Sequence, residues 1–155
     1  MNIHSIDLSL ATTEDSFELK HFLKRHKQSQ IQRNDNAYIV RLNLAQTSTI
    51  IGVARLIHLS NSQPTIYWLR GLYIETSQRK KGYAKQLLRF MVEAISQQKK
   101  PFQIITFPLK HLEALYHKQG FQRVASAQLP PVLIHQYQPK KGWLCMHYTE
   151  GCTRT

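Results

Sequence analysis

Cysteine is scarce in this chain: Cys145 and Cys152 are the only two among 155 residues. Two cysteines build no disulfide framework, and their spacing fits no zinc motif, so no metal is expected. Acidic residues are also few, nine Asp and Glu against twenty-one Lys and Arg, which leaves a formal charge of +12. That balance favours anions such as phosphorylated cofactors, nucleic acid or acidic surfaces, and leaves the fold undecided. Plain solubility would explain it equally well. No apolar run approaches the ~20 residues that cross a bilayer. The opening Met1-Asn2-Ile3-His4-Ser5 lacks the basic and apolar regions of a signal peptide. No Asn-x-Ser/Thr acceptor occurs. These absences set the expectation of a soluble, cytoplasmic protein without a membrane partner. With 42% hydrophobic and 19% charged residues the chain is globular rather than disordered. Its length suits a single domain over 1–155 with a proper core.

The hydrophobic pattern predicts the elements. Residues 3–10 alternate, with Ile6, Leu8 and Leu10 on one face, and read as a strand. Ala11-Thr12-Thr13-Glu14-Asp15 looks like a helix start with a threonine cap. Leu19, Phe22, Leu23 and His26 follow at helical spacing, opposite Lys20, Lys24, Arg25 and Lys27. Residues 28–36 are polar and predict a loop, with or without a short second helix. Strands are expected over 37–44 and 50–59 around a turn at Gln46-Thr47-Ser48, and over 66–74 after a turn at Asn61-Ser62-Gln63-Pro64. The strongest helix runs over 78–97, with Ala84, Leu87, Leu88, Met91, Val92 and Ile95 on one side. A strand at 102–107, a short helix at 111–119 capped by Gly120, and strands at 121–125 and 143–149 complete the series. The stretch 128–141, with Pro130-Pro131, is a crossover of no assigned conformation. This order predicts an α/β fold: a mixed, mostly antiparallel sheet flanked by helices.

The stretch richest in chemistry joins Leu72-Tyr73-Ile74 to the turn Arg79-Lys80-Lys81-Gly82-Tyr83-Ala84 and the start of a helix at Lys85. Such a strand–turn–helix junction points free backbone N–H groups and a positive dipole end at one place, which suits a phosphate. Gly82 allows close backbone approach, and Ala84 is small. The cluster Arg79, Lys80, Lys81 and Lys85 sets like charge against the dipole, a penalty that a bound anion would relieve. Neither a Gly-x-x-x-x-Gly-Lys-Ser/Thr loop nor a Gly-x-Gly-x-x-Gly fingerprint is present.

In these residues the chain resembles the GCN5-related N-acetyltransferase superfamily. Arg79, Gly82 and Ala84 match its Gln/Arg-x-x-Gly-x-Gly/Ala acetyl-CoA motif, and Leu72-Tyr73-Ile74 matches the apolar triplet before it. Leu115-Tyr116-His117-Lys118-Gln119-Gly120-Phe121 is similar to the family's Leu-Tyr-x-x-x-Gly-Phe. The resemblance covers about residues 37–121. It implies acetyl-CoA as donor, held at its pyrophosphate by the amides of Arg79, Lys80, Lys81, Gly82, Tyr83, Ala84 and Lys85. Leu72 and Ile74 would pair with the pantetheine arm, in a splay between the cofactor strand and the next strand. A backbone N–H of that strand would polarise the thioester carbonyl. Tyr116 would protonate the departing thiolate; if not, it is a helix residue packed on the core.

The implied reaction is direct attack by a primary amine in a ternary complex, the amine belonging to a small molecule or a protein. A phenol of pKa ~10 donates to a thiolate of pKa ~8.5 at a cost of about 2 kcal/mol, so Tyr116 would assist rather than drive the step. Deprotonating a lysine-like amine at pH 7 costs about 4.6 kcal/mol unless its pKa is lowered. A base or water chain is therefore expected. Relatives that carry a glutamate early in the cofactor strand have Trp68 in its place here. Glu75, at the far end of that strand, reads as a turn residue; His58 and His111 are conceivable bases, though lone histidines are more often structural or solvated, and Tyr67 and Tyr73 fit packing equally well. Leu109 stands where relatives often have a cofactor-binding Asn. Cys145 as an acyl carrier competes with a buried apolar role.

Two other readings remain open. In one, Lys20, Lys24, Arg25, Lys27 and Arg33, with Lys140 and Lys141, form a nucleic-acid module; thin aromatic interleaving makes nucleic acid the lesser expectation. In the other, the chain is a non-catalytic acyl-CoA sensor. A homodimer would use the Pro130-Pro131 crossover and the final strand.

Overall fold

A computed structural model describes residues 4–60 and 64–151. The expected turn residues Asn61, Ser62 and Gln63, and Cys152, lie outside the described residues. Among the described residues, seven strands form one open sheet in the order β1-β2-β3-β4-β5-β7-β6. They are β1 (His4–Leu10), β2 (Asp35–Leu44), β3 (Thr47–Ser60), β4 (Thr65–Ile74), β5 (Phe102–Thr106), β6 (Gln122–Arg123) and β7 (Met146–Glu150). The helices are α1 (Ser16–Arg25), α2 (Tyr83–Ser96), α3 (Glu113–Lys118) and α4 (Pro131–Ile134). β4 and β5 run parallel, while β1–β2, β2–β3, β5–β7 and β6–β7 are antiparallel. The expected mixed sheet with flanking helices is the fold observed.

Element edges moved where local chemistry decided them. Leu44 pairs with Thr47, so the β2–β3 turn is the two residues Ala45 and Gln46 rather than 46–48. The helix expected from residue 78 begins at Tyr83, because residues 76–78 form a separate 3-10 turn. Residues 28–34 contain no helix. The crossover at 128–141 holds α4, with Pro131 at its first turn where a missing N–H is harmless, and a 3-10 turn at Pro139–Lys141. β6 is only Gln122–Arg123, shorter than the expected 121–125.

By packing, the chain forms two compact units. One contains residues 4–57 and 71–93, and the other contains 58–60, 64–70 and 94–151. In the first, β2 and β3 carry unbroken buried runs, 37–40 and 50–56, as expected of inner strands covered on both faces. Leu19, Phe22 and Leu23 of α1 pack with Ala37, Ile39, Ile50 and Val53. Arg41 fastens α1 to the sheet, with Nη2 donating to Asp15 Oδ1 at 2.6 Å and Nη1 to Glu18 Oε1 at 2.8 Å. The Thr12 N–H, together with Arg41, holds the Asp15 carboxyl below the usual carboxylate range. In the second unit Ile105, Leu129, Leu133 and Cys145 form a core, joined by Trp68, Phe107 and Tyr137.

Candidate functional site

In the first unit the chain leaves β4 at Ile74 and turns through residues 75–82 into α2. Lys80 (φ +66°) and Gly82 (φ +82°) both take left-handed conformations, which twist the turn back on itself. At Gly82 a Cβ would meet no atom within 4 Å, so the space above its backbone is open. The first intrahelical bond runs from Gln86 N–H to Gly82 O at 3.1 Å. The N–H groups of Tyr83, Ala84 and Lys85 therefore precede the helical ladder and face the helix entrance. Leu87, Leu88 and Met91 are fully buried and anchor the α2 stripe that aims them.

Two side chains of the turn act on the protein itself. Arg79 Nε donates to Ile74 O at 2.8 Å, and its guanidinium lies 5.2 Å from the centre of the Tyr73 ring. Arg79 thus closes the end of β4. Lys81 Nζ donates to Gln78 Oε1 at 3.0 Å. Glu75 faces His26, with Oε1 at 3.4 Å from Nε2, and His26 Nδ1 lies 3.1 Å from the Tyr73 hydroxyl. This Glu75–His26–Tyr73 chain was not visible in the sequence, where His26 read as one more position of the α1 stripe.

Gly71 gives β4 a positive φ of +65° within the strand. A Cβ there would lie 3.0 Å from Arg55 Nε, so Arg55 forms the floor under this kink. Arg55 is 3% exposed. Its Nη1 donates to Gln30 O at 2.9 Å and lies 3.7 Å from Asp35 Oδ2, and its Nη2 donates to Ser29 O. One buried cation therefore ties the 29–35 loop to the kinked part of the strand. The sequence offered no sign of this, because Arg55 sits inside an otherwise apolar strand.

In the second unit, the β4–β5 pairing ends at Leu69↔Thr106, while β4 runs on to Ile74. Thr106 Oγ1 donates to Leu69 O at 3.0 Å, and Thr106 stands beside the Tyr116 hydroxyl. Tyr116 is 3% exposed and packs edge-on against Phe121. Burial pushes its phenol up to about 12. Trp68 packs against Phe107 and lies under the Arg70 guanidinium, 4.8 Å from the ring centre. No acid or base occupies that position. His58 stacks on Tyr67, His111 is exposed, and the Leu109 backbone bridges to Trp143. Burial raises the Cys145 thiol to about 11, which disfavours a nucleophilic thiolate. Leu72, Ile74 and Arg79 to Lys85 are thus gathered in the first unit, and Tyr116 belongs to the second.

Among the described residues no group of three or more His, Cys, Asp and Glu could hold a metal ion. No described helix is long and apolar enough to cross a membrane.

Comparison with known proteins gives this geometry a family. A GNAT-family acetyltransferase from Staphylococcus aureus Mu50 is 16% identical, with a TM-score of 0.65 over 94% of this chain and 99% of the other. Tetrahymena GCN5 is 14% identical, with a TM-score of 0.64 over 94% and 95%. N-acetylglutamate synthase from Neisseria gonorrhoeae, solved with coenzyme A and N-acetyl-glutamate, is 13% identical with a TM-score of 0.67; the match covers 94% of this chain and 35% of that one. At these identities the likeness establishes the fold. No curated protein matches the sequence significantly. The family model of the acetyltransferase (GNAT) domain matches residues 33–123, more than half of the chain, and the protein belongs to that family.

Proposed function

We propose that this protein is an acetyl-CoA-dependent N-acetyltransferase acting on a primary amine, as one domain over 1–155 in a cytoplasmic setting. The observation that carries the reading is the turn at 79–85. Two left-handed residues, open space above Gly82 and three amides ahead of the α2 ladder make a cradle for a pyrophosphate. Lys80, Lys81 and Lys85 add positive charge at its rim. Leu72 and Ile74 would offer backbone groups to the pantetheine arm, and an N–H of β4 would polarise the thioester carbonyl.

The amine nitrogen attacks the thioester carbon, the C–S bond breaks, and the acyl group leaves as an amide. The thiolate gains a proton and the amine loses one. Tyr116 is our candidate for the first task. With its phenol at about 12, complete transfer to a thiolate of pKa ~8.5 would be uphill by about 5 kcal/mol. Tyr116 therefore serves as a hydrogen-bond donor that steadies the thiolate, with water delivering the proton. For the amine, Trp68 supplies no base, so water or an amine bound already neutral takes that part.

The test is a thermal-shift series with acetyl-CoA, followed by thiol release across a panel of amines. Stabilisation with release from at least one amine is expected. No stabilisation would sink the proposal, and stabilisation without release from any amine would make the chain an acyl-CoA sensor. Tyr116→Phe is expected to lower kcat roughly tenfold, about 1.4 kcal/mol and the scale of one lost hydrogen bond rather than of lost proton transfer, with acetyl-CoA affinity unchanged. An unchanged kcat would retire Tyr116.

The same variant has a signature in stability. The folded-state pKa of Tyr116 lies above its ordinary value of 10.0. The native state therefore holds that proton more tightly than the unfolded chain does. Its contribution is fully present below pH 10 and is lost as pH rises toward about 12. Melting curves across that window should fall more steeply for the parent protein than for Tyr116→Phe; parallel curves would show that the phenol is not held neutral by the fold.

A further inference from the structure

The first unit contains a cleft of about 570 Å³ bounded by the end of β1, α1 and the 30–37 segment. Its size falls in the range of small-molecule sites. Leu10, Ala11, Leu19, Leu23, Ile31 and Ala37 give it an apolar floor. Lys20 and Arg33 stand in its lining, and among the described residues neither makes an ion pair with a carboxylate. The one carboxylate in the lining, Asp35, is spent elsewhere. Its Oδ2 accepts from Gln32 N–H at 2.9 Å and faces Arg55, and its side chain is only 2% exposed. The cleft thus presents two uncompensated positive charges above an apolar surface.

The walls are held in place. Gln30 Nε2 donates to the Lys20 carbonyl at 3.2 Å, Gln32 Nε2 donates to Gln30 O at 3.2 Å, and Arg55 binds the Ser29 and Gln30 carbonyls from behind. Leu10, at 48% exposure, leaves apolar surface open to whatever fills the space. A purely apolar ligand would leave both cations without a counter-charge, and a purely polar anion would leave the floor wet.

We propose that this cleft is a binding site for a small amphipathic carboxylate, with its apolar body on the floor and its carboxylate between Lys20 and Arg33. The site stands apart from the turn at 79–85 and does not depend on the acetyl-CoA reading.

The test is a ¹H–¹⁵N NMR titration of the protein without acetyl-CoA, using octanoate as the probe and octanol as its neutral counterpart. Octanoate should move the amides of residues 10–20 and 30–37 and saturate in the millimolar range. The surface variant Lys20→Glu/Arg33→Glu should weaken octanoate at least roughly tenfold, as expected for reversing two charges near the ligand, while its fold, read from the same spectra, is retained. Equal shifts with octanol, shifts confined to other residues, no shift, or undiminished octanoate binding in the double variant would each overturn the proposal. If the double variant lost its folded spectrum, Ile31→Trp, which fills the cleft and leaves the cations, would decide it: octanoate must then fail to bind.

Discussion

Arg55→Met is expected to destabilise the protein by about 3–5 kcal/mol, the usual cost of removing one partner from a buried ion pair. The carboxylate of Asp35, almost wholly shielded from water, would keep only the Gln32 N–H as a close donor. The carbonyls of Ser29 and Gln30 would lose their guanidinium donors at the same time. Adding Asp35→Asn to the Met variant should restore part of the loss, because a neutral amide needs no counter-charge. Urea denaturation of the two single variants and the double variant measures this as a cycle. A Met variant within about 1 kcal/mol of the parent, the scale of an exposed pair, would show that Arg55 contributes nothing beyond its packing. The kink at Gly71 rests on the same side chain, so a loosened Arg55 is also expected to shrink the melting shift given by acetyl-CoA.

Gly82→Val is expected to act the other way round, with a small effect on the fold and a large one on the ligand. A β-branched residue at φ +82° is strained, at a cost of about 1–2 kcal/mol. No protein atom stands within 4 Å to add a clash. The isopropyl group would fill the space that the proposed pyrophosphate needs. Acetyl-CoA affinity should fall roughly tenfold to a hundredfold, about 1.4–2.8 kcal/mol, with Gly82→Ala in between. Isothermal titration measures the affinity and thermal melting the fold. Full affinity in the Val variant would move the phosphate site away from this turn.

These two glycines and one arginine mark how far the sequence could be read. Gly82 lies in a motif whose neighbours all act locally: a strand end, a turn and a helix start follow one another along the chain. Short-range geometry was enough to single it out. Gly71 and Arg55 are separated along the chain and meet through the sheet, so neither announced its role. The apolar stripe of α2 predicted a helix, but its start was set five residues early, because residues 76–78 form a separate 3-10 turn and the α-helix begins only at Tyr83. The β2–β3 turn was displaced for a related reason: the polar residues Thr47 and Ser48 look like a turn but pair with Leu44 and Asn43.

By itself, the sequence determined the order of the elements outside the 128–141 crossover, the strand–turn–helix junction at 72–85 and the resemblance that proved to be the family. All three are encoded in periodicity and in residues close together in the chain. Tertiary structure alone decided that Arg79 braces β4, that Tyr116 is buried beside Thr106, that His26 joins Glu75 to Tyr73, and that Lys20 and Arg33 share a cleft. Burial, charge compensation and pKa are properties of surroundings assembled from distant segments, and no local pattern carries them.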